Sequence, residues 1–198
     1  MGFDIVVIGT STGGLMALEI LLSGLPRNFA LPIAIVQHRS VDSGEMLCII
    51  LRRHSRLPVL EPHDKEAILP GRVYMAPPDY HLMVEEGAFA LSTEGPVSYA
   101  RPSIDVLFES AADAYRAGVI GVVLTGANQD GARGAVRIKA RGGVVVVQDP
   151  ATAECPVMPQ ATQERVAVDW TLPLEEIVSC LVRLSGQAEE GKPSAVSA

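Results

Sequence analysis

The stretch Asp4–Gly14, DIVVIGTSTGG, decides the fold. Ile5, Val6, Val7 and Ile8 form an unbroken aliphatic run, the pattern of a strand buried on both faces of a parallel sheet. The run enters a turn of small residues and then a helical period with Leu15, Leu18, Leu21 and Leu22 on one side. Ser11 therefore sits where the first strand ends and the first helix begins. In open α/β sheets ligands bind in that crevice. A helix start there offers unpaired N–H groups that favour negative charge. A hydroxyl at that point serves as a phosphate cradle, as a helix cap, or as a nucleophile beside its own oxyanion site.

Outward from this stretch the pattern repeats. Strand-like runs cover Ile5–Ile8, Pro32–Gln37, Val119–Leu124 and Val144–Gln148. Helical periods fall at Leu15–Ser23, Ser43–His54, Ile104–Ala117, Gly131–Ala140 and, after Pro173, Leu174–Leu184. Such alternation predicts a three-layer, doubly wound α/β fold with a mainly parallel sheet. The middle breaks the rhythm. Short strands at Arg72–Met75, His81–Glu85 and Ala88–Ser92, with Glu86-Gly87 as a tight turn, predict an antiparallel hairpin insertion near one sheet edge. Pro156 and Pro159 bracket a loop or short helix. One domain is expected over residues 1–185, and the small, polar residues 186–198 read as a disordered tail.

The bulk numbers exclude several function classes. A net charge of −7 over 198 residues argues against nucleic acid as a partner. No run is apolar for the ~18 residues of a membrane span, and Asp4 falls where a signal peptide would be greasy. Cys48, Cys155 and Cys180 form no CxxC pair and are odd in number. They read as reduced thiols of a cytoplasmic protein, with no disulfide frame and no metal site.

Three polar residues follow three strands: Ser11 after the first, His38 at the end of PIAIVQH, and Asp130 in TGANQDGA after Val119–Leu124. Carboxyl ends of parallel strands share one edge of the sheet, so the three can converge. Together they supply acyl transfer: a hydroxyl, an imidazole to take its proton, and a carboxylate to orient the imidazole. Each has a plainer reading. Ser11 suits phosphate or a cap, His38 a satisfied strand end, and Asp130 a cap before Gly131. His54, His63 and His81 read as surface or turn residues, and Asp149 as a reserve acid or a turn before Pro150.

Rival readings of the glycine loop remain. Gly9–Gly13 matches GxSxG, but in α/β-hydrolases that elbow follows several strands and the acid precedes the histidine. A nucleotide-binding Rossmann-like start is the second rival. Glycines at 9, 13 and 14 miss the GxGxxG spacing, although Arg39 suits a 2′-phosphate. A non-catalytic signalling module is the third.

The chain resembles the catalytic domain of the CheB protein-glutamate methylesterases over about residues 4–184. The matching runs are IGTSTGG, VQH, LPGRVYMAPPDYH, RPSIDVLFESAA, GVVLTGANQDGA and VQDP…MPQAT. The resemblance implies hydrolysis of γ-glutamyl methyl esters on methylated chemoreceptors or a related acidic helical protein, with deamidation of receptor glutamines as a second activity. It implies no cofactor and no metal. By motif position it implies Ser11 as nucleophile, His38 as base, Asp130 as acid, and backbone N–H groups near Thr12 and Ala127 as the oxyanion site. Arg39 and Arg101, beside two of the motifs, are expected to contact the substrate. Many members carry LTGMGNDGA, whereas here Ala127, Asn128 and Gln129 differ. The sequence starts on the first esterase strand with no receiver domain ahead of it. That start implies an excised domain or a stand-alone relative whose site is open or gated by other means.

Overall fold

The computed structural model describes residues 2–39 and 46–186. Its main sheet has seven strands, all paired in parallel. In chain order these are β1 (Ile5–Thr10), β2 (Ile33–Gln37), β3 (Val59–Leu60), β4 (Val73–Met75), β7 (Val119–Val123), β8 (Val144–Gln148) and β9 (Trp170–Leu172). The spatial order is β3-β4-β2-β1-β7-β8-β9. The chain builds one half outward from β1, returns, and builds the other half from β7. The winding therefore reverses between β1 and β7, which is where such sheets open a crevice at their carboxyl ends.

The helices are α1 (Gly14–Gly24), α2 (Met46–His54), α3 (Ile104–Tyr115), α4 (Ala132–Ala140), α5 (Val157–Arg165) and α6 (Leu174–Leu184). Alternation along β1 sorts them into two layers. Val6 and Ile8 face a core shared with Leu18, Leu21 and Leu22 of α1, Leu51 of α2 and Ile177 of α6. Ile5 and Val7 face the other core, with Leu107 and Phe108 of α3, Ile138 of α4 and Met158 of α5. All of β1 is buried, as its aliphatic run requires. Each fully buried leucine contributes about 2 kcal/mol of transfer free energy, so both faces of β1 anchor the domain.

The middle segment differs from the expectation in one respect. Val73–Met75 is a strand of the parallel sheet, between β2 and β3. The expected antiparallel pairing belongs only to β5 (His81–Glu85) and β6 (Ala88–Ser92), a separate two-stranded sheet that packs on α3. Tyr74 and Phe89 seal this layer, with ring centroids 4.7 Å apart. The segment bracketed by Pro156 and Pro159 is helix α5, where Pro159 lies in the first turn and forfeits no helical hydrogen bond. The predicted helix over Ser43–His54 is described from Met46. Its first three residues, and the tail after Gly186, lie outside the described residues.

Candidate active site

Strands β2, β1 and β7 are neighbours, so the loops that follow them meet above the centre of the sheet. The meeting is sewn by backbone. The His38 N–H donates to Thr10 O at 3.1 Å, and the Ser11 N–H donates to Thr125 O at 3.0 Å. Gln37 Nε2 then donates to Ser11 O at 2.8 Å and to His38 O at 3.0 Å. Thr125 ties further strands of the loop cluster, since its Oγ1 donates to Thr12 O and accepts from the Cys155 N–H. After Ser11 the chain turns through Gly13, at φ 78°, where a side chain would also strike Glu154. Only glycine lets α1 start so close to the strand end.

His38 and Asp130 are in direct contact, with Nε2 2.8 Å from Oδ2. The Asp130 side chain is fully buried, yet four donors serve it. Oδ1 accepts from Ser103 Oγ and the Asp105 N–H, both at 2.9 Å, and Oδ2 accepts from the Ile104 N–H at 2.7 Å and from His38. Asp130 thus caps α3 and not, as the plain reading had it, the helix that follows it. Burial pushes this carboxyl up, but the His38 ring and the N–H groups of Asp105 and Ile104 outweigh burial and hold it below the usual carboxylate range. An ionised Asp130 with all four partners donating leaves one tautomer for the ring: the proton is on Nε2 and the lone pair on Nδ1. Nδ1 is therefore the ring atom with a lone pair to offer a proton donor.

The converse cap is Asp105. Its Oδ1 accepts from the N–H groups of Gly131 and Gly134 at the start of α4. Burial pushes Asp105 above the usual carboxylate range, and the Asp130 carboxylate adds to that, against the pull of these N–H groups and of Arg133. The two aspartates brace two helix starts against each other. This explains RPSID chemically: Ser103 and Ile104 hold the acid, while Asp105 holds the loop that carries it. His81 supports the arrangement from behind, its Nδ1 accepting from the Ser103 N–H and its Nε2 donating to Gly95 O. It is 2% exposed, so of the surface or turn role expected for it the surface alternative gives way to a buried one. Asp149 accepts from the Ala151 N–H, a turn role.

Ser11 Oγ makes no hydrogen bond among the described residues. Nδ1 of His38 instead receives Asn128 Nδ2 at 3.3 Å. Hydrogen bonds between a hydroxyl and an imidazole in such sites commonly tighten only when substrate binds. No backbone hydrogen bond of the described residues uses the N–H of Thr12 or of Ala127. A Cβ placed on Gly126 would lie 3.0 Å from Ser11 Cβ, so the chain just before Ala127 abuts the serine.

The two arginines are committed elsewhere. Arg39, its side chain 5% exposed, donates to Glu61 and to Ala76 O. Arg101 donates to Asp79 and to the carbonyls of Thr93 and Glu94. Both tie loops of this chain together. Arg39 in that state has little surface to offer a nucleotide phosphate, and Gln37 points its amide nitrogen at Ser11 O where a ribose-binding acid would stand.

The sequence profile of the CheB methylesterases matches residues 6–181. The chain belongs to the CheB methylesterase family. A relative from Leptospira interrogans is 45% identical over 185 residues, 93% of this chain and 96% of that one. The protein-glutamate methylesterase/protein-glutamine glutaminase of Thermotoga maritima is 38% identical over 184 residues, and the match spans 54% of its length. The crystal structure of the Thermotoga maritima CheB methylesterase catalytic domain superposes with a TM-score of 0.88 at 37% identity, covering 93% of this chain and 100% of that one.

Proposed function

We propose that this chain is a serine esterase that hydrolyses γ-glutamyl methyl esters on a methylated chemoreceptor, with Ser11, His38 and Asp130 as its catalytic residues. The observation that carries the reading is the His38–Asp130 pair, closed at 2.8 Å beside the loop of Ser11. The family of the chain agrees with this chemistry, and the names of its relatives supply the substrate class.

In the first step Ser11 Oγ attacks the ester carbonyl while its proton passes to Nδ1 of His38. Asp130 steadies the imidazolium through Nε2–H and stays ionised. The free N–H groups of Thr12 and Ala127, with the start of α1, meet the oxyanion. Collapse of the tetrahedral adduct breaks the bond to methoxide, which leaves as methanol with the proton from His38. Water then attacks the glutamyl-serine ester by the same route, giving a free γ-carboxylate and restoring Ser11. A γ-carboxamide follows the same course with ammonia as the leaving group. Leu15 and Met16, 36% and 62% exposed on the first turn of α1, give the entering substrate stem an apolar bed beside Ser11.

The test is methanol release from a radiomethylated receptor preparation. Wild type releases label and Ser11→Ala does not. Release that persists in Ser11→Ala overturns the assignment of the nucleophile, and an inert wild type that still acylates Ser11 with small esters overturns the substrate.

A further inference from the structure

Asn128 stands on the base nitrogen. Its Nδ2–H donates to His38 Nδ1 at 3.3 Å, and its Oδ1 accepts from the Asp130 N–H at 3.1 Å. The second bond fixes which end of the amide faces the ring, because reversing the amide would oppose two donors at Asp130. The ring has one lone pair at Nδ1, since Nε2–H is spent on Asp130. Nδ1 cannot accept from Asn128 and from Ser11 Oγ at once. The side chain is half-buried, in the loop between β7 and α4. It is also one of the three positions at which this loop departs from LTGMGNDGA.

We propose that Asn128 is a latch on the catalytic base: in the resting enzyme it occupies Nδ1, and the amide must swing away before Ser11 can deliver its proton. Asn128 is thus a positioning residue for the reaction assigned above, and the proposal rests on that assignment. Two consequences follow. Removing the amide relieves Ser11 of a competitor. It also removes a donor that stabilises the neutral ring and has no counterpart in the imidazolium, so the acid limb of reactivity moves to higher pH. Among the described residues, the charged groups about the ring are Asp130 in contact, Asp105 and Arg133 behind it, Arg39 next in the chain but turned to Glu61, and Glu154 over the start of α1. Among the described residues the Asn128 side chain bonds only His38 and the Asp130 N–H, so substitution there leaves the side-chain partners of these charged groups unchanged.

The experiment is the second-order rate of fluorophosphonate labelling of Ser11 against pH, in the full chain, for wild type, Asn128→Ala, Asn128→Asp and Ser11→Ala. A hydrogen bond contributes about 0.5–1.5 kcal/mol net, so its loss speeds labelling on the alkaline plateau of Asn128→Ala by about two- to tenfold. The acid limb of Asn128→Ala rises. That of Asn128→Asp rises further, because a carboxylate accepts from the imidazolium Nδ1–H and holds it protonated. Slower labelling in both variants with an unmoved acid limb overturns the latch and leaves Asn128 a structural brace. Nitrogen NMR of the His38 ring needs no variant at 128. The Nδ1 signal is the same in wild type and Ser11→Ala if Asn128 is its partner, and a difference between them overturns the proposal. A folded wild type that takes up no label defeats the triad itself, whereas Ser11-dependent labelling indifferent to residue 128 defeats only the latch.

Discussion

Replacing Asp130 with asparagine changes one oxygen to an NH2 group inside a site built entirely of donors. Oδ1 faces Ser103 Oγ–H and the Asp105 N–H, and Oδ2 faces the Ile104 N–H and His38 Nε2–H. Asparagine can satisfy one pair. If its oxygen stays with Ile104 and His38, its NH2 opposes the Asp105 N–H. If it turns the other way, the NH2 opposes Ile104 and forces the ring into the tautomer with Nδ1 protonated, which is no base. Either way two charge-assisted bonds go and a buried donor is orphaned. At about 1.5–3 kcal/mol for a bond to a charged group, the expected destabilisation is about 3–6 kcal/mol. With a urea slope of about 2 kcal/mol/M, the midpoint falls by about 1.5–3 M. Turnover falls about 10⁴-fold if folding survives, as expected for a triad carboxylate made neutral. The pH dependence has a definite sign. A carboxyl held below its unfolded value stabilises the fold above the ordinary carboxylate range, and that contribution disappears as pH falls through the native value. The gap between wild type and Asp130→Asn is therefore flat from neutrality to about pH 5 and closes below about pH 4. Urea melts at pH 7, 5 and 3.5 measure it. A variant as stable as wild type at pH 7, or a gap that persists undiminished in acid, refutes the reasoning.

Other perturbations probe the supports. Ser103→Ala removes one of the four donors and leaves the other three, so thermal melts should show a loss of about 1.5–3 kcal/mol and methyl-ester turnover should fall less than in Asp130→Asn. In Gly14→Ala the new methyl group would run into Gln37 Oε1 and Thr10 Oγ1, displacing the amide that holds Ser11 O and His38 O. Overpacking of this kind costs about 1–3 kcal/mol, and activity should drop with it; wild-type kinetics in this variant would deny Gln37 its organising role. Cys48 is buried beside Glu61. Burial first, and then the Glu61 charge, push its thiol up to about 12, so maleimide at pH 8 should modify it only after denaturant is added, which peptide mass mapping reads directly.

Much of this site was legible in the sequence because its signals are local. An aliphatic run into a glycine turn announces a parallel strand and a crevice, and Ser11, His38 and Asp130 each end or follow such a run. The geometry joins His38 to Asp130 and sets Ser11 just past the end of the strand that lies between theirs. Other features depend on partners distant in sequence. Val73–Met75 has the look of its hairpin neighbours, and only its register with Ile33–Ile35 makes it parallel. Val59–Leu60 and Trp170–Leu172 are too short to show a period. Nothing along the chain singles out Ser103 and Asp105, because the acid they serve lies 25 or more residues ahead. Arg39 and Arg101 stood beside motifs and suggested ligand contact, whereas proximity along the chain also suits the loop ties they make. Asn128 stands out along the chain as a departure from the family's loop, and only the fold puts its amide against His38 Nδ1.

The esterase reading stands or falls with Ser11 as the nucleophile and His38 as its base. Mass spectrometry of the intact chain after incubation with a fluorophosphonate, followed by peptide mapping, decides it. A single adduct on Ser11 is expected in wild type and none in Ser11→Ala or His38→Ala at matched exposure. An adduct on another residue, or one that forms on Ser11 as fast without the imidazole, contradicts it.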